Sequence, residues 1–269
     1  MKRYRVPYLA LALCGLGWGA ETAQERGKRV VEEALAAMGG PHYLAMEDRV
    51  ETGRAYSFYR DQLSGLTKAR FYARYLKRPE GVAQGWIGVR ERQSFGKDES
   101  SGAVLFADGK GWNITFRGAR PLPELRLVAY RDSTLRNILY ILRQRLGEPG
   151  LITESRGADM IDNQPVEIVE IADADNRTVT VYFHRTTKLP VRQVFQRRNP
   201  QTKERDEEVT LFSKYRDVGG GVMWPFAIRR ERNGEKLLEI YSESVEIDRN
   251  LKDNLFSLPA NIKLLPQER

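Results

Sequence analysis

Apolar residues recur at helical spacing near the start of the chain. Over residues 21–39 they fall on one side of a helical wheel, and charged residues take the other side. The apolar positions are Val30, Val31, Ala34, Leu35 and Met38. Gly39, Gly40 and Pro41 follow, and these residue types end helices. The pattern predicts an amphipathic helix that ends at the glycine pair.

A second apolar stripe predicts a helix over residues 132–146. The stripe consists of Leu135, Ile138, Leu139, Leu142 and Leu146. We expect Asp132 or Ser133 to cap the start of this helix, and Gly147 with Pro149 to stop it.

Most of the remaining chain has a period of two, which is typical of strands with one buried face. In residues 67–75, Thr67, Ala69, Phe71, Ala73 and Tyr75 alternate with mostly basic neighbours. Further strands are predicted over residues 82–95, 104–106, 112–116, 166–171, 178–184, 191–196, 209–215, 222–230 and 236–247.

Short turns separate these strands, so strands that are neighbours in sequence are expected to pair. The sequence therefore predicts an α+β fold: a single large curved antiparallel sheet of about ten strands, forming a half-barrel. The amphipathic helices are expected to cover its concave face. Such an arrangement tends to leave an apolar cavity between the sheet and the helices.

The first twenty residues indicate export. Three basic residues precede an apolar run over residues 6–16, which is too short to span a bilayer as a helix, and small residues follow it. We expect residues 1–20 to be a signal peptide cleaved near residue 20, and residues 21–269 to form a single domain. An uncleaved anchor is the alternative, because the boundary lacks an Ala-x-Ala pattern.

Composition adds two constraints. The formal net charge is +8, but acidic residues intermix with the arginines, so no basic stripe for nucleic acid is expected. Attraction to anionic lipid head groups fits this charge better. The single cysteine, Cys14, lies in the predicted signal peptide, and the mature chain would then have no disulfide, thiolate metal site or cysteine nucleophile.

The sequence offers no pattern typical of a catalytic or metal site. His42 and His184 are far apart and lack metal-ligand spacing. The carboxylate pairs Asp173/Asp175 and Glu207/Glu208 fall at predicted hairpin tips, where such residues shape turns or are solvated. We therefore expect no enzymatic activity, no metal and no cofactor. An esterase- or glycosidase-like enzyme remains an alternative, which would need a pocket pairing two carboxylates or a serine with His184.

Large apolar side chains at inward-facing positions have two interpretations, as ordinary packed core or as the lining of a ligand cavity. The candidates for the cavity lining are Phe71, Tyr75, Trp112, Ile114, Phe116, Leu135, Leu139, Leu142, Val181, Phe183, Trp224 and Phe226.

The order of these motifs resembles the LolA/LolB-like superfamily of outer-membrane lipoprotein-sorting proteins. The resemblance covers nearly all of residues 24–260, as loose structural motifs. Its parts are the helix over 30–40, a strand bearing Gly53, the Asp108-Gly109-Lys110-Gly111-Trp112 turn, the strand-turn-strand segment 181–192, segment 212–225 and the ending 251–259.

The resemblance implies a curved sheet covered by helices that holds a lipid or the acyl anchor of a lipoprotein during transit through the periplasm. On this basis we expect a non-enzymatic periplasmic carrier that makes transient membrane contact and delivers its cargo to the outer membrane. The alternative is an envelope sensor or scaffold that binds a protein partner through the same cleft or a sheet edge.

In a carrier, a helix must move to release the cargo. The predicted helix around residues 135–146 is the expected cover, with Arg117-Gly118 and Gly147/Pro149 as its hinges.

Overall fold

The computed structural model describes residues 21–82, 85–96, 102–199 and 202–267. The predicted signal peptide, with Cys14, lies outside these residues. In the part of the chain that is described, no helix has both the length and the apolar character needed to cross a bilayer.

The first predicted helix is confirmed as α1 (Ala23–Ala37). Thr22 and Glu25 cap its start reciprocally: the Glu25 N–H donates to the Thr22 hydroxyl at 3.2 Å, and the Thr22 N–H donates to the Glu25 carboxylate at 2.8 Å. The helix ends at the predicted glycine pair, and a short second helix, α2 (Pro41–Ala45), follows directly.

Thirteen strands, where about ten were predicted, form one antiparallel sheet, which confirms the predicted fold class. The strands are β1 (Asp48–Tyr59), β2 (Gln62–Tyr75), β3 (Val89–Phe95), β4 (Ala103–Ala107), β5 (Lys110–Thr115), β6 (Gly118–Pro121), β7 (Ile152–Ile161), β8 (Gln164–Ala172), β9 (Thr178–His184), β10 (Pro190–Arg198), β11 (Arg205–Asp217), β12 (Met223–Arg232) and β13 (Glu235–Ile247). The strand predicted over 82–95 begins only at Val89, because the chain turns at Gly85, where φ is 75°.

The sheet is built from two meanders that meet in its centre. Its order is β6-β5-β4-β3-β2-β1-β13-β12-β11-β10-β9-β8-β7, so β1 pairs with β13 and the edges are β6 and β7. Sequential strands pair as predicted, with the exception of β6 and β7. The edges do not pair with each other, which leaves the half-barrel open. The helical segment between them carries the chain from one edge of the sheet to the other.

This connecting segment corrects the second predicted helix. Helix α3 (Glu124–Arg136) begins eight residues before the predicted start. The chain is extended at Asn137, where ψ is 120°. A short turn of helix, α4 (Ile138–Tyr140), then continues as a π-helical turn over Ile141–Arg145. The predicted single helix is therefore two helical pieces with a break between them.

The predicted caps are also wrong. Asp132 and Ser133 lie inside α3, where the Asp132 carboxylate is ion-paired with Arg136 one turn later. The cap that forms is Asn137, whose side-chain oxygen accepts a hydrogen bond from the Leu139 N–H at 2.9 Å. The side chain of Asn137 thus starts the second piece at the point where the backbone leaves the first.

Helix α1 packs closely on the edge strand β7. A Cβ atom at Gly27 would lie 2.7 Å from the carbonyl oxygen of Thr153, so only glycine allows this approach. The close approach helps to position α1 over the sheet, where it covers one end of the main core.

The two faces of the sheet are covered differently. Helices α1, α2 and α4 cover the concave face, where they pack with strands β8–β13 around the main core. The C-terminal segment covers the other face of the β2–β5 region, where Phe256 packs with Tyr72, Leu105 and Ile114. The Asp48 carboxylate anchors this segment by accepting the N–H groups of Arg249 and Leu251 at 2.7 and 2.8 Å.

Candidate functional site

Most of the sequence-predicted cavity residues lie on the helix-covered face, where they are packed. The main core contains Leu139, Leu142, Val181, Phe183, Trp224 and Phe226. Leu135 packs with Ala73, Val89 and Tyr140, and Tyr75 contacts both clusters. Phe71 belongs to a separate small cluster with Ala55, Ala69 and Ile240.

Three of the predicted cavity residues do not face the helices. Trp112 and Ile114 lie on the opposite face, beneath the C-terminal segment. The neighbouring position Gly111 faces the helices instead, since a Cβ atom there would lie 2.5 Å from the Leu127 side chain. Phe116 lies in the turn between β5 and β6 and is 84% exposed. The period of two was correct in β5, but the face assigned to it was wrong.

An apolar cleft of about 410 Å³ lies beneath α3. It is enclosed by α3, by strands β3 to β5 and by the connection that precedes β3. Its apolar lining consists of Leu76, Trp86, Ile87, Val89, Phe106, Ala107, Leu127 and Tyr130. None of the twelve sequence-predicted residues is in this lining. One sequence pattern could have predicted part of this lining. Leu127 and Tyr130 are apolar residues at helical spacing, but they lie in a stretch that was not predicted as helix.

Tyr130 fixes the underside of α3 to the sheet. Its ring stacks on Phe106 with 3.7 Å between centroids and an interplanar angle of 2°. Its hydroxyl donates to the Glu91 carboxylate at 3.3 Å. Burial, and secondly the negative charge of Glu91, raise the pKa of Tyr130 well above its usual range, so the hydroxyl stays protonated and can donate.

The mouth of the cleft carries positive charge. Asp108 is paired with Arg90 at 3.0 Å. Lys110 and Arg131 also line the cleft, and neither has an ion-pair partner among the described residues. An apolar interior with cations at its opening suits a ligand that has a hydrocarbon part and an anionic or polar head.

The segment after α3 is anchored firmly. The Arg145 guanidinium donates to Glu148 at 2.5 Å, to Asp173 at 2.8 Å and to the carbonyl of Leu135. The Ile138 N–H donates to the Gln193 side chain at 2.8 Å. The region around Leu139 and Leu142, which was expected to be the moving cover, is thus tied to β10 and to the chain after β8.

Helix α3 is the more weakly packed element. Leu135, near its end, is its one fully buried residue, Tyr130 is partly buried, and Leu125 and Val128 on its outer side are 56% and 49% exposed. The first turn begins after Pro123 and has no side-chain cap. The part of the connection that covers the cleft is therefore α3.

The lining of this cleft holds no recognisable catalytic group. Asp108 is its one carboxylate, and neither His42 nor His184 reaches it. Within the described ranges, no group of three or more histidine, cysteine, aspartate or glutamate side chains could hold a metal ion.

Solved structures share this architecture. A domain named for outer membrane lipoprotein sorting, from Vibrio parahaemolyticus, aligns over 87% of this chain and 97% of its own, with a TM-score of 0.57 and 14% identity. A DUF1329 family protein from Desulfovibrio piger aligns over 86% of this chain and 97% of its own, with a TM-score of 0.57 and 13% identity.

A LolA superfamily protein from Nitrosomonas europaea aligns over 86% of this chain and 97% of its own, with a TM-score of 0.54 and 12% identity. No protein-family model matches the sequence, and no curated protein matches it. At this level of identity the likeness concerns the fold. The open antiparallel sheet, the helices across its concave face and these similar structures together show that the chain has the LolA-like fold.

Proposed function

We propose that this protein is a non-enzymatic periplasmic carrier that binds a lipid, or the acyl anchor of a lipoprotein, and moves it toward the outer membrane. The observation that carries the proposal is the apolar cleft beneath α3, closed by a weakly packed helix on a LolA-like fold. In this proposal residues 1–20 are removed on export, and residues 21–269 act as one carrier domain.

The size and lining of the cleft fit part of a hydrocarbon chain. Each methylene removed from water contributes about 0.8 kcal/mol, so six methylenes would contribute about 5 kcal/mol. Trp86, Phe106 and Leu127 supply apolar contact, while Lys110 and Arg131 at the mouth suit a polar or anionic head group. Such binding is useful for transport because it is firm but reversible.

A carrier must also reach a membrane, and the hairpin tip between β1 and β2 offers a surface for that contact. Tyr59, Leu63 and Leu66 are 67%, 58% and 56% exposed there. Arg60 and Lys68 lie beside them. Exposed aromatic and aliphatic side chains flanked by cations favour the interface of an anionic bilayer.

The alternative role is an envelope sensor that binds a protein through the same cleft or a sheet edge. Strand β7 is an edge strand, but it carries a bulge at Gly157, where φ is 95°, and the charged residue Arg156 next to it. Bulges and charges disfavour the addition of another strand. The geometry of this edge therefore disfavours a sensor that binds its partner by strand addition.

The test compares two glutamate substitutions on α3. Leu127 lines the cleft, whereas Leu125 on the same helix is exposed. Leu127→Glu should weaken binding of a fluorescent fatty acid at least tenfold, because the carboxylate would have to be buried beside the acyl chain. Leu125→Glu should bind as the unmodified protein does, and both variants should melt within a few degrees of it.

Native mass spectrometry of the purified mature protein provides the second measurement, and an acyl ligand should co-purify. If none does, and fluorescent fatty acids fail to bind at micromolar concentration, the carrier proposal is wrong. A stable protein partner captured by cross-linking in cells, without lipid binding, would establish the sensor role instead. If Leu127→Glu and Leu125→Glu weaken fatty-acid binding equally, the cleft beneath α3 is not the binding site.

A further inference from the structure

A second cleft, of about 790 Å³, lies on the sheet face opposite the helices. Phe212 of β11 belongs to the main core, so its neighbour Leu211 points to the other face. In the strand register Leu211 lies opposite Arg192 of β10 and Arg229 of β12. These three side chains therefore stand in one row across the sheet, and all of them line this cleft, which we call the outer groove.

The outer groove has an apolar floor of useful length. Leu211, Met223 and Ala227 contribute to its lining. It extends from His184 on β9 to Tyr241 on β13, which is four strand spacings or roughly 19 Å. Its volume lies within the range of small-molecule sites, about 300–1,000 Å³.

Two cations in the outer groove lie over tyrosine rings instead of pairing with carboxylates. The Arg192 guanidinium lies 5.5 Å from the Tyr182 ring centroid, and the Lys214 ammonium lies 5.2 Å from that of Tyr241. Within the described ranges neither has an ion-pair partner, and the enclosed Nε of Arg192 has no hydrogen-bond partner. Arg229 differs, because it is paired with Glu231 at 2.8 Å. Arg192 and Lys214 are thus the cations available to an anion. The lining also contains two carboxylates, Asp162 and Glu239, and Glu239 is ion-paired with Lys236 at 3.6 Å.

These two cations are close enough to act together. They lie one strand and three residues apart, roughly 11 Å between Cα atoms, and both side chains are long and flexible. At the β9 end, the Nδ1 of His184 accepts the N–H groups of Thr186 and Thr187 at 3.2 and 3.1 Å. In the neutral ring Nε2 then carries the proton, which adds a donor at that end of the groove.

We propose that the outer groove is a second binding site, for an anionic amphiphile with one alkyl chain. Its acidic group would bind Arg192 and Lys214, and its chain would lie along the floor around Leu211. This site is separate from the cleft beneath α3 and does not depend on it.

The position of the groove favours an amphiphile over a peptide. Its floor crosses strands β10 to β13, whose backbone N–H and C=O groups bond to neighbouring strands. A peptide lying across them would find no backbone partners for its own N–H and C=O groups. An alkyl chain needs no such partners.

The test uses lysophosphatidylglycerol and lysophosphatidylcholine of equal chain length, each below its critical micelle concentration. The unmodified protein should bind the anionic lipid at least tenfold more tightly. The double variant Arg192→Gln/Lys214→Gln should lose this preference, because it removes the charged donors and keeps similar side-chain size. Lys28→Gln/Arg205→Gln removes the same charge from exposed positions outside the groove and should keep the preference.

The position of the bound amphiphile is measured by NMR, from the broadening of methionine methyl signals by a doxyl-labelled fatty acid. The Met223 signal should broaden more strongly than those of Met38 and Met46, because Met223 lines the outer groove whereas the other two are fully buried in the main core. The Met223 signal should also broaden in the Leu127→Glu variant. This result would show that the outer groove binds independently of the proposed carrier cleft.

Equal affinity for the two lipids, an unbroadened Met223, or the same loss in the control double variant would overturn the proposal. Tighter binding of an acidic peptide than of lysophosphatidylglycerol at Met223 would assign the groove to a protein partner instead.

Discussion

Replacing Arg145 by methionine should destabilise the protein by about 3 kcal/mol, because two buried carboxylates lose the cation that pairs with them. The Arg145 side chain is 3% exposed, and those of Glu148 and Asp173 are each 4% exposed. Without the guanidinium, Glu148 keeps one cation, Arg78, at 3.9 Å. The carbonyl of Leu135 at the end of α3 also loses its donor.

The expected magnitude is at the lower end of the 3–5 kcal/mol typical of a broken buried ion pair, because Asp173 is compensated. Its carboxylate still accepts from the Arg177 guanidinium at 2.9 Å and from the N–H groups of Asp175 and Arg177 at 3.0 and 2.9 Å. Most of the loss therefore falls on Glu148. For a chain of this size 3 kcal/mol corresponds to a fall in Tm of about 6–12 °C.

Thermal unfolding followed by circular dichroism measures this effect against a matched control. Arg156→Met removes two exposed ion pairs, with Glu170 at 2.7 Å and with Glu154 at 3.3 Å, and should cost about 0–1 kcal/mol. Adding Glu148→Gln to Arg145→Met should recover part of the loss, because the unpaired charge is removed as well. If Arg145→Met melts at the same temperature as Arg156→Met, the buried network does not hold this segment in place.

Two further predictions concern pH and helix packing. Burial by itself would raise the pKa of Asp173, but hydrogen bonds from Arg145 and Arg177 outweigh it and hold the pKa below the ordinary value of 3.8. Its stabilising effect should thus be complete above that value and lost as the pH falls through the lower folded-state pKa. As the pH is lowered from above 3.8 to below it, the free energy of unfolding measured in urea should therefore fall more in the unmodified protein than in Asp173→Asn, and equal falls would contradict this. Gly27→Val should lower the free energy of unfolding by about 1–3 kcal/mol, because the added side chain forces α1 away from Thr153. Gly147 has open space around it, so Gly147→Ala should leave the free energy of unfolding nearly unchanged in the same urea titration.

Strands with one buried face could be predicted from the sequence because alternation records that burial. Strand β9 was predicted at its observed bounds, Thr178–His184. Strand β7 was missed because it is an edge strand without a fully buried position, so apolar and polar residues do not alternate along it. The break between the two helical pieces at Asn137 could not be predicted either, because Leu135 and Ile138 keep helical spacing across it.

The cleft beneath α3 could not be predicted in the same way. A period of two separates the faces of a strand but does not say which face the helices cover. Trp112 and Ile114 were therefore predicted to face the helices, although they lie on the other face of the sheet, beneath the C-terminal segment. The cleft itself depends on the path of α3 and of the connection before β3, and hydrophobic periodicity does not specify such paths.

The energetics of packing decide which helical piece can open. Freeing the segment from Ile138 to Leu142 would expose five buried side chains. At about 1.5–3 kcal/mol each this costs about 8–15 kcal/mol, which equals the entire stability of a typical domain. Lifting α3 exposes Leu135, Leu127 and Tyr130 and breaks the stacking on Phe106. On the same scale this costs at most about 5–10 kcal/mol, because Leu127 and Tyr130 are only partly buried, and it leaves the main core intact. The second opening costs less, and it is the one that fits the proposed release of a ligand without unfolding.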